Sequence, residues 1–382
     1  MALNVTNMNK LSKWFLITLA IILSVGAIMV YSASYIYAKE NFGSSTYFFS
    51  GQLTFIIVGI IFAMLVGSSK FSFWVKYGVY IHLFWIIVLA LTLIPGLAVE
   101  VKGAHRWINV LGLSLQPGEI IKYTLVLSSM LYFENFSKFT SMEKIQYAIP
   151  LAAPLLILIR QPDFGTFFVC FLVISFVCYL SSFPRKYFYG IFTSGIIIGT
   201  GLLFLKAYRI ERLLTYLDPW KHPKTSGFQI IQSFLAFANG GFFGQGLGNS
   251  NEKLFYLPEA HNDFIFSVIG EELGFVGVTL MIGLFITFIY LGLKIAVRMK
   301  NRWAFIAAST VIFIIGLQSL LNMGVVLGLL PTKGLNLPFI SYGGSSLVSN
   351  FFGVGLILSA VKENLRKEGE SFFLFGKSNS ES

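Results

Sequence analysis

Asp263 stands in Pro258-Glu259-Ala260-His261-Asn262-Asp263-Phe264, where a polar stretch gives way to a long apolar run. Two chemistries suit a carboxylate there. An Asp at a helix start accepts backbone N–H bonds and caps the helix. The same helix end favours its ionised form, and nearby cations would favour it further, leaving a base able to withdraw a proton from a hydroxyl. Glu119 and Lys122 follow Pro117, a favoured first-turn residue, and being three apart they share a helix face. They are either a first-turn acid and a snorkelling lysine or a pair lining a polar cavity, with Lys122 contacting a phosphate. Arg160-Gln161-Pro162-Asp163-Phe164-Gly165 interrupts two apolar runs. It is a plain turn or, as interrupted helices can be, the lining of a substrate path. Lys102, Arg106 and Arg160 suit a diphosphate, and equally the anionic head groups of ordinary membrane lipid. His82, in the middle of an apolar run, reads as a packed, hydrogen-bonded residue.

The elements that must position these residues are membrane helices. Of 382 residues, 55% are hydrophobic and 12% charged, against about 25% charged in an ordinary soluble domain. The apolar residues fall in long blocks, and crossing a hydrocarbon core takes roughly 20 of them in helical form. The blocks predict an all-α integral membrane protein of about ten transmembrane helices, near 14–35, 48–68, 73–95, 117–135, 145–160, 165–182, 187–206, 262–293, 303–329 and 343–362. The first run follows Lys10 and Lys13 like a signal peptide, but no small-residue cleavage site follows it, so a retained helix is expected. Residues 1–13 and 363–382 are then tails on one side. More than half of the 28 Lys and Arg fall on those tails and on alternate short loops, which places both termini in the cytoplasm.

That topology puts one large loop, about 207–261, outside, rich in Gly, Asn and aromatics, with Asp218-Pro219 and Gly240-Gly241 as turn signals. It also gathers Lys102, Arg106, Glu119, Lys122, Arg160, Asp163, Arg212, Asp218, Lys253, Glu259, His261 and Asp263 on the outer side, with Glu271 and Glu272 deeper. Ionisable groups at membrane depth are costly and mark function by default. Cys170 and Cys178, eight apart on one helix, are separated by about 12 Å and cannot form a disulfide. There is no P-loop, zinc-ligand cluster, Gly-x-Ser-x-Gly or Cys-x-x-Cys. Gly244-Gln-Gly246-Leu-Gly248 lacks the strand–turn–helix setting of a nucleotide loop. ATP-driven and redox chemistry are not expected, and no nucleic-acid partner is.

Several ordered blocks carry a family likeness. They are Ala104-His105-Arg106-Trp107-Ile108, Gln116-Pro117-Gly118-Glu119 with Lys122, and Gln161-Pro162-Asp163-Phe164-Gly165-Thr166. Arg212-Leu213, Asp218-Pro219-Trp220, Gln232-Ser233 and Gly240-Gly241 continue them. The most specific are Phe255 to Phe266, Gly270-Glu271-Glu272-Leu273-Gly274, Leu330-Pro331-Thr332-Lys333-Gly334 and Pro338-Phe339-Ile340-Ser341-Tyr342-Gly343-Gly344-Ser345-Ser346. The chain resembles the SEDS proteins, the FtsW, RodA and SpoVE group of bacterial cell-wall proteins, over nearly its whole membrane domain. The resemblance implies a peptidoglycan glycosyltransferase that polymerises lipid II at the outer face of the plasma membrane, with a class B penicillin-binding transpeptidase and other division proteins as partners. It places the family's essential aspartate on Asp263 and its helix pair on Glu119 and Lys122. Arg106, Arg160 and Lys333 join as substrate-binding candidates, and Glu259, His261 and Ser341 as supporting ones. No cofactor is required; a divalent cation would suit the diphosphate. Gly118 stands where the family usually has Ser or Ala, and Asn262 where Thr is commoner. The Leu330–Gly334 and Pro258–His261 blocks lean to the division member over the elongation member. Rival readings are a lipid II flippase, which should show polar groups through both leaflets, and a scaffold, which needs no re-entrant carboxylate.

Overall fold

The computed structural model describes residues 2–101, 104–110, 113–204, 207–223, 227–250, 260–332, 334–367, 369 and 372–374. Helices occupy all ten predicted blocks: α1 (Ala2–Phe42), α2 (Tyr47–Ser68), α3 (Phe71–Leu91), α4 (Pro117–Asn135), α5 (Ser141–Arg160), α6 (Phe164–Leu180), α7 (Arg185–Phe204), α10 (Ile265–Val297), α11 (Arg302–Val326) and α12 (Gly344–Arg366). Seven of them are long and apolar enough to cross a membrane, and α6 is a shorter apolar helix. This is a multi-pass membrane protein. Helix α4 misses that standard because it carries Glu119, Lys122 and Glu134. It can do so because it is the central helix, packed against α3, α5, α6, α11 and α12, so its polar groups meet protein rather than lipid. Cys170 and Cys178 are buried and unbonded to each other.

Three features go beyond the predicted helices. A three-stranded antiparallel sheet, β1 (Ala98–Val101), β2 (Ala104–Val110) and β3 (Leu113–Leu115), bridges α3 to α4. Within the predicted outer loop lie α8 (Ala207–Leu217) and α9 (Phe228–Gly240). Helix α10 is broken at Gly274, whose φ of 65° and ψ of −164° are not helical. The break strands backbone groups that lipid cannot satisfy, and the 241–246 loop satisfies them. Gln245 N–H donates to Glu271 O (2.9 Å), Gly246 N–H to Glu272 O (3.0 Å), and Phe275 N–H to Gly241 O (2.9 Å). A Cβ on Gly244 would lie 2.2 Å from Glu272 O, and one on Gly274 2.3 Å from Gly244 N, so this crossing admits only glycine at both places. Glu271 and Glu272 are fully buried; Ser250 Oγ donates to the former and Ser32 Oγ, at 2.6 Å, to the latter.

The loops expected to share the basic side do meet at one end. Glu134 of α4 accepts from Arg302 Nε at 3.0 Å and from Ser182 N–H at 2.8 Å. Ser72 N–H donates to Glu363 (3.0 Å), and Lys300 N–H to Asn364 Oδ1 (2.9 Å). The strands, the 161–166 turn and the 260–264 turn lie at the helix ends opposite to these.

His82 shows how the bundle tolerates proline. Pro154, inside α5, has no N–H for the carbonyl four residues back, which is that of Pro150. His82 Nε2 lies 3.0 Å from this oxygen and Nδ1 lies 2.9 Å from Thr124 Oγ1. A carbonyl can only accept, so Nε2 carries the proton. His82→Leu should therefore cost about 1–3 kcal/mol, the penalty for one buried unpaired carbonyl. Thermal unfolding in detergent checks this; an unchanged melting temperature would exclude the bond as a stabilising element.

Candidate functional site

Strand β2 brings Arg106 to the turn between α5 and α6. Its Nη2 donates to Pro162 O at 2.8 Å, and its Nε lies 3.9 Å from Asp163 Oδ2. Asp163 is the N-cap of α6: it accepts from Thr166 N–H at 3.2 Å and Thr166 Oγ1 at 2.9 Å. This turn is thus more than a plain connection. The start of α4 packs on it, since a Cβ on Gly118 would lie 3.3 Å from Thr166 Cγ2. Gly118 suits that close approach. Arg160 ends α5, exposed, where a cation complements the helix dipole.

Glu119 and Lys122 form a closed pair, Lys122 Nζ to Glu119 Oε2 at 2.7 Å. Lys122 is 0% exposed and Glu119 7%. The lysine does not snorkel to an interface. The ammonium is turned to its partner and buried.

Asp263 does not cap α10. The N-cap position belongs to Phe264, with no side-chain cap bond, and Asp263 precedes it in a turn. The residues of that turn are held through their carbonyls. Tyr342 N–H donates to His261 O (2.9 Å), Ser341 Oγ to Asn262 O (2.7 Å), and Asn322 Nδ2 to Asp263 O (2.8 Å). The His261 ring packs on Phe48, centroids 4.3 Å apart, with Tyr37 and Tyr342 also near. Ser341 also accepts from Leu337 N–H at 2.8 Å, closing its own loop. Backbone clamping fixes where the Asp263 carboxylate starts from, while the carboxylate itself points to Gly334, where a Cβ would lie 3.1 Å from Oδ2.

Residues 334 and 335 join the two turns. Gly334 faces Asp263, and the Leu335 side chain would lie 3.6 Å from a Cβ on Gly165, beside Asp163. Arg212 Nη1 reaches Thr332 O at 3.5 Å, bringing α8 to the same segment. The structure therefore collects Arg106, Asp163, His261, Asp263 and Ser341 at one end of the bundle, with Arg160 at its rim and Glu119 and Lys122 buried beneath. Lys333, Glu259, Lys102 and Lys253 lie outside the described residues. Among the described residues, no three or more His, Cys, Asp and Glu side chains gather closely enough to hold a metal. Asn322 was missed, since only ionisable groups were weighed at membrane depth; an amide inside the apolar block 303–329 carries the same signal in weaker form.

Comparison with known proteins adds the following. A family model described as "Cell cycle protein", for FtsW, RodA and SpoVE, matches residues 12–366. A Geobacter sulfurreducens protein named "Probable peptidoglycan glycosyltransferase FtsW" is 38% identical over 362 residues, covering 94% of this chain and 97% of that one. Among solved structures, a chain from a peptidoglycan synthase complex that coordinates polymerization and crosslinking superposes with a TM-score of 0.73 at 27% identity, covering 92% of this chain and 97% of that one. Thermus thermophilus RodA, a rod shape determining protein, shares the fold: TM-score 0.67 at 23% identity, with 92% and 96% covered.

Asp163→Ala removes an N-cap, worth about 1 kcal/mol, together with the Thr166 hydroxyl bond. Asp163→Asn keeps an acceptor for Thr166 N–H and should lower the melting temperature less. Equal shifts for the two variants, measured side by side in detergent, would contradict the capping role of Asp163.

Proposed function

Because the chain belongs to the FtsW, RodA and SpoVE family of cell cycle proteins, we propose that it is a peptidoglycan glycosyltransferase polymerising lipid II into β-1,4-linked strands in septal wall synthesis. The reading is carried by one observation: likeness along 94% of the chain to a relative with this activity in its name. The site geometry supports it. The end of the bundle bearing Asp263 is opposite the basic loops, which the positive-inside rule assigns to the cytoplasm. Both termini are then cytoplasmic and the site faces outward across the plasma membrane.

In the proposed reaction the acceptor's sugar 4-hydroxyl attacks the anomeric carbon of a donor carrying polyprenyl diphosphate. The C–O bond forms as the bond to the diphosphate breaks, with inversion from an α-linked donor to a β-linked product. Asp263 takes the hydroxyl proton as the oxygen becomes nucleophilic. Its clamped turn holds the carboxylate in place before substrate arrives, which is where a general base gains. The anomeric centre passes through oxocarbenium character. The departing diphosphate needs positive charge rather than a proton; Arg106 and Arg160 supply it, with Lys333 beside Gly334 in sequence. Lys122, paired with Glu119 beneath the site, is the remaining cation of that set and also ties α4 internally as an ion pair. A divalent cation would supply further charge at the diphosphate, but the described side chains form no chelating group for one, and the proton transfer is assigned to Asp263 alone. A crosslinking transpeptidase of the penicillin-binding class and other division proteins are the proposed partners, in line with the synthase complex whose chain this fold resembles.

Purified protein, alone and with its transpeptidase, should extend lipid II into long strands. Asp263→Asn should lower the rate by about 10²–10⁴, the usual worth of a general base, without loss of folding. Undiminished strand synthesis by that variant would remove Asp263 from the reaction. Transfer of lipid II across vesicles with no strand formation under any condition would favour the flippase instead.

A further inference from the structure

Asn322 lies on α11, 2% exposed, and one of its terminal atoms sits 2.8 Å from Asp263 O and 2.7 Å from Leu335 O. Both neighbours are carbonyl oxygens and can only accept, so the atom between them is the amide nitrogen, with one hydrogen for each. Neither carbonyl is used by a regular helix. Asp263 precedes the N-cap of α10, where Ser267 N–H, at 3.0 Å, takes Phe264 O instead. Leu335 lies in the irregular chain between α11 and α12. The amide oxygen of Asn322 is buried without a hydrogen-bond partner. The residue is therefore kept for its two donors, against the cost of an unmatched acceptor.

What the two bonds join is specific. One ends on the residue bearing the proposed base. The other ends on the residue after Gly334, whose α-carbon region faces that base: a Cβ there would be 3.1 Å from Asp263 Oδ2. A single side chain thus sets the spacing between the Asp263 backbone and the 334–335 segment that walls its carboxylate. We infer that Asn322 is a positioning residue for Asp263: its paired donors hold the 263 turn and the 334–335 segment in register, and so fix the carboxylate for proton transfer. Ser341 and Tyr342 hold the preceding two carbonyls, but neither bonds Asp263 itself. The inference rests on the reading of Asp263 as the base.

The test uses full-length protein with its transpeptidase partner, lipid II as substrate, and three variants measured together. Asn322→Leu keeps similar bulk and has no donor. Asn322→Ser is smaller and has one hydrogen, too short in reach to bind both carbonyls. Asp263→Asn is the control. Misplacement of a reacting group by about an ångström costs about a hundredfold, so Asn322→Leu should lower kcat by about ten- to a hundredfold with KM for lipid II unchanged. Asn322→Ser should fall between it and the parent. A purely structural role would lower the active fraction and the melting temperature without changing kcat per folded molecule. If Asp263→Asn is inactive while a folded Asn322 variant, Leu or Ser, turns over at the parental rate, the positioning role is overturned and the base assignment stands. If Asp263→Asn itself retains the parental rate, the base assignment fails first. If both Asn322 variants fail to fold, Asn322 is a folding residue and the inference is overturned.

Discussion

Hydrocarbon offers a backbone no hydrogen bonds, and three irregularities in this bundle are arranged around that fact. The chain breaks helical regularity at three places that bear on the site: Pro154 within α5, Gly274 within α10, and the turns flanking Asp263. Each break exposes peptide groups that a neighbouring segment then engages. His82 answers the Pro150 carbonyl, the 241–246 loop answers both sides of Gly274, and Ser341, Tyr342 and Asn322 answer residues 261 to 263. The irregular places are consequently among the most tightly specified, which suits a site that must hold a charged group still at the edge of a membrane.

Charge follows the same economy. The basic residues of the short loops gather at one end, where Glu134 and Arg302 tie α4 to α11. At the other end Arg106 supports the Asp163 turn. The Glu119 and Lys122 pair between them is closed on itself. Burying two ions is favourable only with good geometry, and a bond of 2.7 Å meets that need. Arg160, by contrast, stands exposed at the rim of that end.

Much of this was legible from residue order. Block length and hydropathy located the ten long helices, seven of which are long and apolar enough to cross a membrane. Pro117 marked the start of α4 and the role of His82 as a packed, bonded residue was evident from its apolar setting. What escaped has physical reasons. No strand was predicted between the helices near 73–95 and 117–135, because β1, β2 and β3 are short and Gly96, Gly103 and Gly112 interrupt the alternation. Capping was one of two readings for Asp263 and was not considered for Asp163; both precede apolar runs, and which one caps depends on whether the following turn is helical, a tertiary outcome. Burial of Lys122 follows from the packing of α4 against five other helices, which no local spacing encodes. Asn322 was passed over because an uncharged amide is a weaker signal than a carboxylate, though its partners are two segments far apart in sequence.

The glycine loop over the α10 break has one more implication. Connections between helices usually accept insertions and deletions, because water can take over whatever hydrogen bonds are lost. The stretch 241–246 has no such reserve: its peptide groups complete the ladder of a neighbouring helix. Shortening it by even one residue would be felt as damage to α10 rather than as a trimmed linker. In evolutionary terms, this piece of chain should vary in length no more readily than a transmembrane helix does.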